Sequence, residues 1–253
     1  MTSTPDSPSL ASPSIRLFVP ETLAAGVQLT LSREASHYLI EVMRRTAGDE
    51  VALFDGRSGE WAAAILDPHR KQAVLGVSRL LRPRESVPDL WLLFAPIKKG
   101  RIDWIAEKAC ELGVDRLFPV ITRRTIVERV PTDRLRAHMV EAAEQCGRTA
   151  VPELAEPQSL DALLAAWPGD RQLLFCDETG GVAFTDAVAG WQRDRPSAIL
   201  IGPEGGFTDA ERERIRRLDR ATGVSLGPRV LRADTAAVAA ISLWQALVGD
   251  WNG

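Results

Sequence analysis

Two glycine-bearing turns hold the residues with the most chemistry to offer. ILIGPEGGFTDAE spans residues 199–211 and SLGPRVLRADTAAVAAI spans residues 225–241. Each reads as an apolar strand that runs into a turn and then a helix. In the first, Ile199, Leu200 and Ile201 form a short buried-strand run. Gly202, Pro203, Gly205 and Gly206 then leave the backbone bare of bulky side chains. Glycine allows positive φ and lets a ligand approach the main chain closely. Thr208 and Glu211 stand at capping-box spacing, which predicts a helix start at Thr208. Two such loops close together point to a site built at the C-terminal ends of strands.

These loops lack the fingerprint of a phosphate cradle. No GxxxxGK[ST] run occurs, and neither strand is followed by GxGxxG. Glu204, between Pro203 and Gly205, stands where a phosphate site needs donors and positive charge. A single turn of this kind is also compatible with an ordinary strand-to-helix connection. The pair suits a ligand held through backbone groups and shape, such as a nucleoside, better than a polyphosphate.

A second set of candidates is basic. Residues 98–125, KKGRIDWIAEKACELGVDRLFPVITRRT, place Lys98, Lys99 and Arg101 at a strand-to-helix turn and Arg123 and Arg124 just after the next strand. EQCGR, residues 144–148, adds Gln145 and Arg148 at a helix end, where Arg148 is also placed to complement the helix dipole. Arg44 and Arg45 form a further pair near the N-terminus. Any one cluster is equally readable as a solvated edge. Net charge is −3, so nucleic acid would have to be met by such local patches rather than by the molecule as a whole.

The elements that must position these residues divide the chain. Residues 1–14 are Ser/Pro-rich, without a basic leader or an apolar core, and read as a disordered tail rather than a signal peptide. Residues 15–81 are β-rich, with short runs punctuated by Gly, Asp and Pro, one helix within Glu34 to Arg45 capped by Ser32, and a hairpin turn in Asp55 to Gly59. This predicts a small barrel-like domain. Residues 82–89, RPRESVPD, read as a linker. From residue 90 to 253 strands and helices alternate, which predicts an α/β domain. Gly113 and Gly147 mark helix ends, and Thr132 or Asp133 caps the helix that leads to Gly147. The last helix, Ala233 to Val248, is apolar nearly all round and must be covered on more than one side.

Metal and disulfide chemistry find no support in the spacing. Cys110, Cys146 and Cys176 form no CxxC and read as reduced residues of an intracellular, cytoplasmic protein. His37, His69 and His138 are scattered, without metal-ligand spacing. No apolar run approaches the length of roughly 18 residues that a membrane span needs.

Taken together, KKGRIDWIAEKACELGV, EQCGR, LIGPEGGF and LGPRVLRADTA resemble the ribosomal RNA small-subunit methyltransferase E family. The likeness runs in the family's order over the chain after the tail. The β-rich region, marked by RLFV, SHYLIEVMRRTAGDEV and FDG, is similar to that family's PUA-like RNA-binding domain. The resemblance implies a SPOUT-type methyltransferase domain with a C-terminal trefoil knot, a fold that periodicity alone would argue against because threaded chains are rare. It implies S-adenosylmethionine as cofactor and methylation of N3 of a uridine in 16S rRNA of the small ribosomal subunit by a homodimer. Ile201, Gly202, Pro203, Gly205, Gly206, Leu226, Gly227, Leu231 and Thr235 would line the cofactor site. The basic residues Arg44, Arg45, Lys98, Lys99, Arg101, Arg123, Arg124 and Arg148 would meet RNA. Uracil N3 must lose a proton as it is methylated, so a base or an imidate-stabilising group is needed. Glu204, Arg232 and Asp234 are the candidates on the two loops. The chain reads LRADTA where the family usually has LRTETA, so Ala233 and Asp234 shorten two side chains while a carboxylate remains. A catalytically silent RNA-binding assembly factor and a nucleotide-dependent α/β enzyme are the rival expectations.

Overall fold

The computed structural model describes residues 13–98, 100–127 and 129–252. Residues 1–12 of the expected tail, and Lys99, lie outside the described residues. The chain divides into two compact units between Glu85 and Ser86.

In the N-terminal unit, β1 (Arg16–Phe18), β2 (Gln28–Thr30), β3 (Glu50–Phe54), β4 (Glu60–Asp67) and β5 (Val74–Arg82) form one sheet in the order β1-β3-β4-β5-β2. Strands β1 and β3 are parallel and the other pairs antiparallel. Helix α1 (Arg33–His37) continues as a π turn through Val42. Ser32 caps it as expected, its Oγ accepting from the Ala35 amide at 3.1 Å. Strand alternation puts Leu17, Leu29, Val51, Leu53, Ala63, Ile65, Leu75 and Val77 on the face that packs around Leu39. The expected barrel is therefore a curled sheet: β1 and β2 do not pair with each other among the described residues. In the β3–β4 turn the Asp55 carboxylate accepts from the amides of Leu23, Arg57 and Ser58 at 3.0, 2.8 and 2.7 Å.

The C-terminal unit is built on a parallel sheet. Its elements are β6 (Leu90–Phe94), α2 (Arg101–Glu111), β7 (Arg116–Ile121), α3 (Thr132–Cys146), β8 (Glu153–Leu154), β9 (Gln158–Ser159), α4 (Leu160–Ala165), β10 (Gln172–Cys176), β11 (Val182–Ala183), α5 (Phe184–Ala187), β12 (Ser197–Ile201), α6 (Asp209–Arg216), β13 (Ala221–Ser225) and α7 (Ala233–Leu247). The strand order is β11-β13-β10-β12-β6-β7-β8, with β9 beside β7. Strand β12 is buried along its whole length, as a central parallel strand covered on both faces requires. Ile201 lies level with Phe94 of β6 and Cys176 of β10, and Cys176 level with Val224 of β13. All these strands are parallel, so the loops after β6, β10, β12 and β13 leave the same edge of the sheet.

Local signals explain most boundaries. Gly147 ends α3 in the left-handed conformation, φ 82°. Thr208 and Glu211 form the expected capping box at the start of α6. The expected cap of α3 is different: Pro131 occupies the N-cap, no side chain caps the first turn, and Thr132 is already helical. Helix α5 is a single turn of four residues.

Helix α7 packs on α2, α5 and β12. Gln245, fully buried near its end, donates from Nε2 to the Leu112 carbonyl and accepts from the Asp250 amide on Oε1. A Cβ at Gly113 would stand 2.8 Å from that Nε2, so the glycine after α2 gives the glutamine its room. Strand order and the return of α7 onto α2 are compatible with the knot that the resemblance implies. Among the described residues no helix is long and apolar enough to cross a membrane.

Candidate functional site

Three loops close around one cavity of about 170 Å³ at the C-terminal edge of the parallel sheet. The turn after β12 brings Ile201, Gly202, Pro203, Glu204 and Gly206. The segment after β13 brings Leu226, Gly227, Arg229 and Leu231, backed by Ala233 and Ala236 of α7. Both were legible as loops in the sequence. The third, after β10, was not: Asp177, Glu178 and Gly180 of DETGG complete the wall, with Cys176 at the strand end. Its signal was present, since two carboxylates and two glycines follow a buried strand.

Not every expected residue reaches the cavity. Gly205, Arg232, Asp234 and Thr235 do not line it. Arg232 is the exposed N-cap residue of α7. Asp234 accepts from the Thr235 amide at 2.9 Å and faces the Arg101 guanidinium at 3.8 Å, so one expected catalytic residue pairs with one expected RNA contact. Glu204 is exposed on the cavity wall, and its side chain has no hydrogen-bond partner among the described residues.

The loops are tied to each other through α6. Arg212, buried near the start of that helix, donates from Nε to Asp177 at 3.1 Å and from Nη2 to Glu178 at 2.6 Å. Arg216 holds the other Asp177 oxygen at 2.9 Å. Burial pushes the Asp177 carboxyl up, but the bonds from Thr179 and Arg212 together outweigh it and hold the group below the ordinary 3.8. The Glu211 carboxylate accepts from the Arg123 amide on one oxygen and from Thr208 on the other. Helix α6 thus fixes the β10 loop, the β12 loop and the start of the β7 loop together.

The basic candidates separate into two kinds. Arg124 straps the glycine turn, its Nη1 donating to Gly205 and Phe207 carbonyls at 2.6 and 3.4 Å. Arg148 is a correction: only 6% exposed, it donates from Nη1 to the carbonyls of Cys110 and Val114 at the end of α2, at 2.7 and 3.1 Å. It ties the end of α2 to the turn that follows and presents no cation to solvent. By contrast Lys98, Arg123, Arg229 and Arg232 have exposed side chains that make no salt bridge among the described residues, all just beyond the C-terminal ends of strands. At the opposite edge the cations are engaged: Arg171 grips Asp89 with two bonds of 2.8 and 2.7 Å, and Arg116 pairs with Glu153. In the N-terminal unit Arg44 is exposed with φ 52°, and Arg45 reaches the Ser14 hydroxyl at 3.5 Å.

The cysteines do not supply a nucleophile to the cavity. Burial pushes the Cys176 thiol up to about 12, so it stays protonated at neutral pH. Cys146, away from the cavity, is drawn down to about 6, mainly by its hydrogen bond with Cys110. Among the described residues no group of His, Cys, Asp and Glu is arranged to hold a metal ion.

Each unit matches a known family of domains. A family model described as an RNA methyltransferase domain matches residues 83–245, and one described as an RNA methyltransferase PUA domain matches residues 31–78. The ribosomal RNA small subunit methyltransferase E of Synechocystis is 31% identical over 241 residues, covering 92% of this chain and 78% of that protein. The protein of that name from Rickettsia conorii is 28% identical over 233 residues, covering 90% and 93%. Among solved structures, the methyltransferase E of Neisseria gonorrhoeae bound to S-adenosyl methionine superposes with a TM-score of 0.84 at 27% identity, covering 95% of this chain and 100% of that one. A putative methyltransferase of Legionella pneumophila in complex with SAM superposes with a TM-score of 0.79 at 32% identity, covering 92% and 97%. The chain belongs to the ribosomal RNA small subunit methyltransferase E family.

Proposed function

We propose that this protein transfers a methyl group from S-adenosylmethionine to N3 of a uridine in 16S rRNA of the small ribosomal subunit. The observation that carries the reading is the cavity at the ends of β10, β12 and β13. Its walls are backbone and apolar side chains, and its charged side chains are Asp177, Glu178, Glu204 and Arg229. Arg212 and Arg216 pair with Asp177 and Glu178, which leaves Glu204 and Arg229 as charges of opposite sign, so the cavity offers no cluster of cations for a polyphosphate. Gly227, at φ 108°, has nothing within 4 Å of where a Cβ would stand, so the β13 loop leaves its backbone open to a ligand. These residues fit a nucleoside held through main-chain groups, and the solved relatives that carry this cofactor share the fold.

Ile201, Gly202, Pro203, Gly206, Leu226, Gly227 and Leu231 are the proposed cofactor contacts. The bound cofactor supplies an electrophilic methyl group on sulfur. The protein's task is to hold the uracil edge in line with it and to exclude water. Glu204 is the proposed acceptor of the N3 proton, because it alone of the three candidates stands on the cavity wall with an uncommitted carboxylate. Arg232 offsets charge on the deprotonated base or meets a phosphate. Lys98, Lys99, Arg123, Arg44 and Arg45 are the proposed RNA contacts, with the PUA-like unit as an RNA-binding module. The protein is proposed to act as a cytoplasmic homodimer whose contact includes the outer face of α7.

The test is methyl transfer from labelled S-adenosylmethionine to small subunits from a strain lacking this protein, with the modified nucleoside identified by mass spectrometry. Appearance of 3-methyluridine in 16S rRNA is the expected result. Cofactor binding without transfer would instead mark a silent assembly factor.

A further inference from the structure

The loop after β10 places a carboxylate on the cavity wall by several independent devices. Asp177 is locked from both sides, by Arg212 and Arg216, and it accepts from the Thr179 amide and hydroxyl at 3.0 and 2.7 Å. The next residue, Glu178, is thereby set in direction. Its Oε1 accepts from buried Arg212 at 2.6 Å, which fixes the side chain as well. The opposing loop makes room for it. Gly206 has φ 66°, and a Cβ there would stand 1.9 Å from Glu178 Oε1 and 3.0 Å from Oε2. The side chain remains 36% exposed, and Oε2 has no hydrogen-bond partner among the described residues.

We infer that Glu178 is a binding residue that reads the ribose hydroxyls of the cofactor nucleoside. The inference rests on the cofactor proposed for this cavity. A carboxylate offers only acceptors, and a vicinal diol offers two donors at the spacing a single carboxylate accepts. The same pairing recurs where an acidic residue at a strand end meets a ribose. Arg212 supplies Oε1 with one bond and leaves Oε2 as an open acceptor among the described residues. A charged acceptor that is already immobilised gains more from such a bond than a mobile one, since no side-chain entropy is lost on binding. A ligand lacking the 2′-hydroxyl would leave that acceptor unsatisfied in a partly desolvated wall.

The experiment is calorimetric titration of the full-length protein and of Glu178→Gln with three ligands: S-adenosylmethionine, its 2′-deoxy analogue, and 5′-methylthioadenosine, which keeps the ribose but lacks the amino-acid chain. The glutamine keeps an acceptor for Arg212, and circular dichroism with thermal melting checks that the variant is folded. The parent should prefer the ribose form over the 2′-deoxy form by about ten- to a hundredfold, the range for a hydrogen bond to a charged group. Glu178→Gln should lose most of that preference for the ribose, while its preference for ligands with the amino-acid chain stays as in the parent. An undiminished ribose preference in the variant overturns the inference. So does a loss confined to discrimination of the amino-acid chain, which would place the carboxylate against the ammonium instead. A parent that binds none of the three ligands removes the cofactor reading itself, a distinguishable failure.

Discussion

Arg124 reaches back over the glycine turn and donates to the carbonyl oxygen of Gly205 at 2.6 Å. A side chain expected to meet phosphate is thus a strap on the glycine turn after β12. Arg124→Ala is expected to raise the cofactor Kd about tenfold, the lower range for losing a charged hydrogen bond, and to leave the salt dependence of RNA binding unchanged. Lys98→Ala should do the reverse, lowering the slope of log K against log salt by about 0.7–0.9 with cofactor affinity intact. Calorimetry for the cofactor and filter binding at graded salt for RNA separate the two roles.

Gly206 is needed for two reasons that act together. Its φ of 66° is unfavourable for any residue with a Cβ, and that Cβ would collide with the Glu178 carboxylate. Gly206→Ala is therefore expected to destabilise the unit by more than the roughly 1–2 kcal/mol of backbone strain alone. Gly190→Ala, at φ 77° with open space around its Cβ, should cost only that amount. Thermal melts of both variants test the difference, and equal losses would show that the Glu178 contact carries no weight.

Acid should loosen the cavity wall in a defined window. Asp177 is held below its ordinary value of 3.8, so it contributes stability that is full above about that pH and is lost as pH falls through its lower folded value. Asp177→Asn removes the titrating group. Its stability should fall less steeply than the parent's below pH 4 while being lower than the parent's at pH 7. Denaturant midpoints measured across that range give the comparison.

Glu204→Gln tests the proton acceptor. Its carboxylate is exposed and makes no hydrogen bond among the described residues, so the variant should fold like the parent and still bind cofactor. Loss of general-base assistance should lower kcat by about a hundredfold or more. An unchanged kcat would transfer the role to another group.

The proposed homodimer needs a probe on a face of α7 that its own chain leaves uncovered. Ile241 is only 1% exposed, covered within its own chain, so Ile241→Glu should unfold the protein rather than dissociate it. Leu247, 42% exposed on α7, is the better site. Leu247→Glu is expected to keep the circular dichroism of the parent and to shift light scattering toward the monomer. A folded monomeric parent at micromolar concentration would remove the dimer proposal.

Elements governed by short-range rules are readable from the chain. The capping box of Thr208 and Glu211, the Ser32 cap, the Gly147 stop and the apolar β12 run depend on neighbours a few residues away, so residue types and spacing suffice to place each of them. The two glycine loops follow for the same reason, since φ preferences are local. A resemblance over four blocks supplied what periodicity could not, the family and its chemistry.

Which charges are spoken for is a matter of three-dimensional packing instead. Arg148, Arg124 and Arg101 look alike as sequence, yet one ties down the end of α2, one straps Gly205 and one faces Asp234. The partners lie 38, 81 and 133 positions away in the chain, and no pattern in the residues around an arginine encodes them. The same holds for Asp177 and Glu178, whose loop joins the site only because β10 lies next to β12 in the sheet. Strand order is set by packing of the whole unit, so it brings distant loops to one edge that the sequence leaves apart.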